Sequence, residues 1–339
     1  MKLQVAPLTE EKKALWDALC LGSPECWFLH TSHWIDYSLA YRPDLESKGL
    51  SFFVYDGKEA VAICPLILET SKLNGKTFNT FSFGGAWAPA PAITNQNLTL
   101  KNSDHVLHFI FAEIIELAAK HQVEKVSYRL NPFVLANGEK ANRSNWLSNF
   151  GFIPYMLNTQ VIDTDHQPEQ LLRDMRKGHK SDIKRAEEEG LTCQIFYRDE
   201  CSRETFNLYK ALHAKAAGRT TRPESTFDLM YNWIKEGHAF LIGARKEDEF
   251  IGFSLIMVYK NAAYYGSSCN NPDYPDLPIA HVIQWNTLKW LYENGIKSYE
   301  IGWQFYDSTP FYHASEKEKN IARFKRGFGG FQLPLFIGE

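Results

Sequence analysis

The stretch PIAHVIQWNTLKWLYENGIKSYEIGW, Pro278 to Trp303, joins a predicted helix directly to a predicted strand. Proline stands at the start of the helical segment and Gly295 at its end, which is the arrangement that helix termini favour. Upstream, AFLIGARKEDEFIGFSLIMVY (239–259) predicts two strands about a polar turn, and AAYYGSS (262–268) continues the sheet. The stretch therefore completes a hairpin–helix–strand unit.

The first half of the chain repeats this order of elements. SFFVYDGKEAVAICPLIL (51–68) predicts two strands about a tight turn and TFNTFSFGG (77–85) a third, before a helix at 104–122 and a strand at 123–130. Both helices begin with a His-Val pair, at His105 and at His281, and similar strands follow them. We infer an internal duplication, with units over 1–155 and 156–339, and an α/β (α+β) fold with covered sheets.

Composition excludes several classes of protein. The chain has 339 residues, 44% of them hydrophobic, and a formal net charge of −3, which argues against a DNA-binding protein held by bulk electrostatics. MKLQVAPLTEEKK lacks a secretory h-region, and apolar runs such as 60–68 are too short to span a bilayer. Six cysteines without a CxxC pair predict reduced thiols, no metal site and a cytoplasmic location.

Common catalytic motifs are absent as well. The sequence contains no GxxxxGK[ST], no GxSxG and no HExxH. Cys269 has no activating base near it in the sequence, which disfavours an acyl-carrying thiol.

A basic segment, PEQLLRDMRKGHKSDIKRAEEEG (168–190), predicts one amphipathic helix. His179 belongs to its apolar stripe, as a core histidine would, while Lys177 and Lys180 fall among the cations of another face. That face is either simply solvated or a positive wall for an anion such as phosphate.

A pair of arginines follows in HAKAAGRTTRPESTFDLM (213–230). A helix that carries His213 is predicted to end at Gly218, and Pro223 to start the next one. Arg219 and Arg222 therefore lie on a loop beside a helix N-terminus, where anions bind readily. The alternative is that they pair with Glu224 or Asp228 and only hold the loop.

The run NIARFKRGFGGF (320–331) concentrates cations, aromatic residues and glycines near the C-terminus. We expect a hairpin with IARFK as one strand, GFGG as the turn and FQLPLFI as the last strand, with Phe324 and Lys325 on opposite faces. A single RGFGG in a weakly acidic chain is poor evidence for RNA binding.

Four segments together resemble the FemAB group of transferases. These are FLHTSHW (28–34), NWLSNFGFIPYMLNTQVIDTD (145–165), RKGHKSDIKRAEEEGL (176–191) and, most strongly, IARFKRGFGG (321–330). The resemblance implies two GNAT-like units, each with a mixed sheet flanked by helices, and an active site in the second. It implies that an amine attacks the carbonyl of an aminoacyl-tRNA ester, or of an acyl-CoA thioester as in other GNAT proteins. Both are donor substrates, so no tightly bound cofactor is expected.

The resemblance also assigns roles to residues. Lys325 matches the lysine that stabilises the developing oxyanion, Phe324 would pack behind it, and Arg219, with Arg222, matches an arginine that holds the acceptor phosphate. The family's lysine after Trp34 is missing, which disfavours a UDP-linked muropeptide acceptor, and no [QR]xxGxG pyrophosphate loop precedes Pro278. Heptads for a coiled-coil arm are also absent.

Further candidates lie in GWQFYDSTPFYH (302–313), directly after the last predicted strand of the unit. Trp303 and Tyr306 could line a pocket, and Asp307 or His313 could act as general base, although packing and capping would explain them equally well.

The sequence thus predicts a transferase that moves an acyl or aminoacyl group onto an amine of a cell-envelope precursor, such as peptidoglycan or a surface-polysaccharide sugar. Its partners would be a small-molecule or glycan acceptor and, with an aminoacyl donor, tRNA, with peripheral membrane association also allowed. The alternatives are an acyl-CoA amino-sugar N-acyltransferase and a non-catalytic glycan- or RNA-binding module on a decayed transferase fold.

Overall fold

The computed structural model describes residues 1–133, 145–309 and 312–339. The chain packs as two compact units, Met1–Met156 with Pro334–Glu339, and Leu157–Leu333. The second unit was expected to cover 156–339, but its last six residues belong to the first unit. The reason is that the end of β17 (Phe331–Gly338) pairs with β10 (Tyr128–Arg129) of the first unit.

The first unit contains short strands and three α-helices among its described residues. The helices are α1 (Lys13–Gly22), α2 (Ser32–Tyr41) and α3 (Leu100–Lys120). The remaining strands are β1 (Leu3–Pro7), β2 (Glu46–Gly49), β3 (Phe52–Asp56), β4 (Glu59–Cys64), β5 (Ile67–Leu73), β6 (Lys76–Phe81), β7 (Ala88–Pro89), β8 (Ala92–Ile93) and β9 (Val123–Val126). They form sheets of order β1-β3-β4-β8 and β2-β5-β6-β9, except β7, which pairs in parallel with β10.

Two predicted strands of this unit are interrupted. The strand expected to run to Leu68 ends at Cys64, and β5 begins after Pro65, which cannot donate a ladder hydrogen bond. The strand expected at 123–130 divides into β9 and β10.

Six strands of the second unit lie side by side in one sheet, with helices on both faces. Its strands are β11 (Pro154–Asp163), β12 (Leu191–Tyr197), β13 (Ala239–Lys246), β14 (Glu249–Tyr259), β15 (Ala262–Asn270) and β16 (Ser298–Gln304), in the order β12-β13-β14-β15-β16-β11. Its helices are α4 (Pro168–Asp174), α5 (Lys177–Glu188), α6 (Arg203–Ala217), α7 (Glu224–Glu236), α8 (Ile279–Glu293) and α9 (Glu316–Arg326). Neighbouring strands are antiparallel except β15 and β16, which the α8 crossover makes parallel.

The core of this unit lies between the sheet and α8. Fully buried Ile242, Ile256, Leu288 and Tyr299 belong to it, and α4 and α5 pack against α8. Helices α6 and α7 cover the other face through contacts with β13, β14 and β15. The two faces of the sheet are therefore covered by different helices.

The basic segment forms two helices, not the single helix predicted. Met175 has extended backbone and Arg176 has ψ 142°, so α4 ends at Asp174 and α5 begins at Lys177. Met175 is buried in the core, which explains why the chain turns there.

The expected C-terminal hairpin is wrong, because IARFK is the second half of helix α9. A capping box starts this helix: the Ser315 hydroxyl accepts from the Glu318 N–H, and the Glu318 carboxylate accepts from the Ser315 N–H. Arg323, Lys325 and Arg326 occupy its last turn, where cations stabilise the helix dipole. No helix in the described part of the chain has the length and apolar character needed to cross a membrane.

Candidate active site

The parallel strands β15 and β16 separate part of the way along the sheet. Their pairing covers Ala262–Tyr264 against Ser298–Glu300 and then stops. Beyond that point β15 stays with β14 as far as Asn270, and β16 stays with β11 as far as Gln304. An opening lined by backbone groups therefore begins at Tyr264 and Glu300.

Lys325 reaches this opening from the last turn of α9. Its Nζ lies 2.5 Å from the position that a Cβ on Gly302 would occupy. Gly302 has φ +113°, a conformation that L side chains rarely adopt. The absence of a side chain at Gly302 is therefore what lets the ammonium approach the strand backbone.

Aromatic packing and a hydrogen bond hold α9 in position. Phe324 packs against His179 and Phe328, with ring centroids 5.4 and 5.0 Å apart, and the Phe324 carbonyl lies 2.8 Å from His179 Nε2. A Cβ on Gly327 would collide with the His179 imidazole. His179 is buried, as expected of a core histidine, and Phe324 is partly buried and packs against the hydrophobic core.

The electrostatic environment lowers the proton affinity of Lys325. Burial lowers the pKa of its ammonium from 10.5 to about 8, and the nearby Glu300 carboxylate opposes that effect. Glu300 is 1% exposed and accepts a 2.6 Å hydrogen bond from the Thr159 hydroxyl of β11.

A second polar cluster lies along β15 on the side of α6. The Tyr209 hydroxyl on α6 donates to Ser267 Oγ on β15 over 2.9 Å. His213, one turn further along α6, has its Nδ1 3.3 Å from the Thr221 hydroxyl, and its ring packs on Tyr209. Burial, with a smaller contribution from Arg222, lowers the pKa of His213, so this imidazole is neutral near pH 7.

Glu300 and the His213 cluster lie on the same face of the sheet. Tyr299 points toward α8, where its hydroxyl donates to Gln284 over 2.8 Å, so Glu300 points toward the α6 side. A β-bulge at Ile301 interrupts this alternation, and Gly302, which pairs with Gln160, does not share that face. Ser267 points the same way as Glu300 because it bonds to Tyr209. The sheet thus presents Glu300 and the His213 cluster on a common face.

The two loop arginines have different environments. Arg219 is exposed, whereas Arg222 is half-buried, with its guanidinium 5.6 Å from the Phe227 ring and its Nη1 3.1 Å from Met230 Sδ. Glu224 and Asp228, the predicted partners, pair instead with Lys210 and Arg203. As predicted, α6 ends at Ala217 before Gly218, which has φ +66°, and Pro223 caps α7.

The remaining sequence candidates lie mostly at the surface. Lys177 is exposed, and Lys180 donates to the Arg173 carbonyl over 3.2 Å. His313 is exposed, and Asp307 forms a 2.6 Å ion pair with Lys319 that holds the pKa of its carboxyl below the usual value. These positions give no support to a general-base role for either residue.

Two aromatic candidates are half-buried close to Lys325. Trp303 follows Gly302 on β16. Tyr306 accepts a 2.6 Å hydrogen bond from Gln332 Nε2 and lies under the Arg326 guanidinium, 5.0 Å from its ring centroid. Pro310 and Phe311 of the same predicted segment lie outside the described residues.

Sequence reasoning missed Glu300, Tyr209 and Ser267. The carboxylate in SYEIGW stands within an otherwise buried strand, and that pattern is the signal that could have marked it. The Tyr209–Ser267 contact joins residues 58 positions apart and has no local signature.

The loop before α8 is acidic. In NPDYPDLP, Asp273 forms an ion pair with Lys215, and Tyr274 donates to Glu249 over 2.8 Å. Asp276 is exposed, and Pro278 takes the N-cap position. These carboxylates oppose the binding of an anion at this helix N-terminus.

Comparisons with known proteins agree with this architecture. Residues 173–313 match the acetyltransferase (GNAT) domain family. The fold resembles the crystal structure of FemX, with TM-score 0.68 and 14% identity, over 99% of this chain and 96% of that one. It also resembles L-PGS from Bacillus licheniformis, with TM-score 0.58 and 12% identity over 97% and 91% of the two chains.

A tandem GNAT protein from the clavulanic acid biosynthesis pathway is similar as well, with TM-score 0.53 and 13% identity over 100% of this chain and 98% of that one. No curated protein matches by sequence. The chain therefore has the FemAB-type tandem GNAT fold, and with its GNAT domain at 173–313 it is an acyltransferase.

Proposed function

We propose that the protein transfers an aminoacyl group from aminoacyl-tRNA to an amine of a cell-envelope precursor, a peptidoglycan unit or an amino sugar of a surface polysaccharide. The observation that carries the proposal is the Lys325 ammonium over Gly302, at the opening between β15 and β16. FemX and L-PGS are similar in fold, and so is the C-terminal domain of a putative lysylphosphatidylglycerol synthetase from Agrobacterium fabrum.

The chemistry is a simple acyl transfer. The amine nitrogen attacks the ester carbonyl carbon, the carbonyl oxygen becomes an oxyanion, and the C–O bond to the tRNA ribose then breaks. The amine loses one proton and the leaving ribose oxygen gains one, so the products are an amide and free tRNA. Lys325 stabilises the oxyanion, an effect typically worth about 100- to 1,000-fold in rate.

The acceptor would lie along the α6 side of the sheet. His213 and Arg222 adjoin β15 there, and Arg219 lies on the loop that joins α6 to α7. A cationic loop and a neutral imidazole suit an acceptor that carries an anion and a reactive amine. Lys177 and Lys180 lie on α5, which packs against α8 on the other face of the sheet, so they would not contact this acceptor.

The acidic loop before α8 favours an aminoacyl donor over CoA. A CoA pyrophosphate at that helix N-terminus would face Asp273, Asp276 and Glu249. The second candidate is an acyl-CoA-dependent N-acyltransferase, and the match of residues 173–313 to the acetyltransferase domain family favours it. Both donors are made in the cytoplasm, which remains the expected compartment.

A donor assay tests the proposal. The protein is incubated with charged tRNA or with radiolabelled acetyl-CoA, each beside amino sugars and lysine-containing peptides, and amide product is measured. We expect product from charged tRNA, and at least tenfold less with Lys325→Ala at an unchanged unfolding midpoint. Product from acetyl-CoA alone would select the second candidate. Equal turnover of wild type and Lys325→Ala would remove Lys325 from the mechanism.

A further inference from the structure

Glu300 is a buried carboxylate fixed beside the opening between β15 and β16. Its side chain is 1% exposed, and the hydroxyl of Thr159, itself fully buried, donates to it over 2.6 Å. A buried carboxylate needs such donors or a nearby cation to remain charged. Its partner on β15 in the parallel register is Tyr264.

The geometry places Glu300 close to the Lys325 ammonium along β16. Glu300 and Gly302 flank Ile301, where β16 has a β-bulge, so they are close along one strand, and the Lys325 ammonium lies directly over Gly302. Two residues along a strand span about 7 Å, a distance over which a carboxylate and a partly desolvated ammonium interact strongly.

Other charged groups near α9 are directed elsewhere. The Arg326 guanidinium donates to Gln304 Oε1, Asp307 pairs with Lys319 at the surface, and His179 faces the Phe324 carbonyl. His281 of α8 lies near Asp182 of α5. Among the described residues, the titratable groups near this turn include Tyr264, Glu300, His179, Arg176, Asp182, His281, Asp307, Lys319, Arg323 and Arg326. Glu300 is the one carboxylate in the sequences of β15 and β16.

We propose that Glu300 is the positioning residue that keeps Lys325 protonated over Gly302, so that a cation meets the developing oxyanion. The inference rests on the proposed function for its catalytic consequence, although its electrostatic part stands by itself. Burial favours the neutral amine and Glu300 favours the ammonium, which agrees with the pKa of about 8 for Lys325.

The test measures the titration of Lys325 directly in the full-length protein. The protein is pulse-labelled with acetic anhydride from pH 6 to 11, and mass spectrometry quantifies acetylation of the peptide that contains Lys325. Only the neutral amine reacts, so the labelling midpoint reports its titration. We expect Glu300→Gln to move that midpoint about one pH unit toward acid.

Two further variants make the test specific. Glu300→Asp keeps the charge but moves it away, and should give a smaller shift in the same direction, which also covers a failure of Glu300→Gln to fold. Glu316→Gln removes an exposed carboxylate from the same helix and should leave the midpoint unchanged. An unchanged midpoint in Glu300→Gln, or an equal shift in Glu316→Gln, would overturn the assignment.

The pH profile of turnover separates this inference from the proposed function. If Lys325 acts as a cation, the alkaline limb of kcat lies near pH 8 in the wild type and moves toward acid in Glu300→Gln by the same amount as the labelling midpoint. A labelling shift without a matching kinetic shift would support the role of Glu300 and refute the catalytic role of Lys325.

Discussion

The substitution Gly302→Ala tests the position of the Lys325 ammonium most directly. The added Cβ would lie 2.5 Å from Lys325 Nζ, whereas an ordinary contact between such atoms is about 3.5 Å. The ammonium must therefore retreat by about 1 Å. Misplacement of a catalytic group by that distance costs about 100-fold in rate, so we expect kcat to fall about 100-fold.

Backbone strain must be separated from this displacement. Gly302 has φ +113°, and alanine there should cost about 1–3 kcal/mol of stability. Gly295→Ala is the matched control, because Gly295 also has positive φ, +69°, but a Cβ there would meet open space. This control should lose stability and keep its kcat.

A double-mutant cycle completes the assay. Initial rates of amide formation are measured for wild type, Gly302→Ala, Lys325→Ala and the double variant, with unfolding midpoints for each. If Gly302→Ala acts by displacing the ammonium, it should add almost nothing to the defect of Lys325→Ala. Wild-type kcat in folded Gly302→Ala, or fully additive losses, would refute the reasoning.

Three other predictions concern stability and reactivity. Burial lowers the pKa of His281 to about 4 in the folded protein, against 6.5 when unfolded, so the unfolded state binds more protons between these values. The free energy of unfolding from urea titrations should therefore be constant above pH 6.5 and about 2 kcal/mol lower at pH 5. His281→Asn should abolish this loss, whereas the substitution of an exposed histidine, His108→Gln, should not. Buried Glu69 accepts from the N–H groups of Gly84 and Gly85 over 2.6 and 2.8 Å, so Glu69→Gln should cost about 2–3 kcal/mol, and an unchanged urea midpoint would contradict this. Burial raises the pKa of Cys193 and Cys269 to about 12 and of Cys201 to about 11, so iodoacetamide at pH 7.5 should label them much more slowly in native than in urea-unfolded protein, and without loss of turnover.

Local signals in the sequence were sufficient for most elements of the second unit. The proline and glycine that flank α8, and the two strands about a polar turn at 239–259, predicted elements that the structure contains nearly residue for residue. The resemblance to the FemAB group predicted the tandem GNAT fold, which the structural comparisons confirm.

The sequence contained a local signal that predicts a helix, not a hairpin strand, at 321–325. The SEKE sequence at 315–318 is a capping box, which marks a helix start. The hairpin was predicted instead because the cluster of glycines that follows is typical of a turn. The basic segment was different, because Met175 leaves the helical conformation to enter a core that the segment does not itself contain. Burial against other elements overrode the helical periodicity there.

Residue types and their order determined that this chain has two α/β units, a cationic segment near its end and an arginine loop between two helices. Tertiary structure alone decided that Lys325 lies over Gly302, that buried Glu300 bonds to Thr159, and that Asp307 pairs with Lys319 at the surface. The physical reason is that propensity and capping act within a few residues. The proximity of side chains from different elements depends instead on strand register and helix packing, which the whole core sets together.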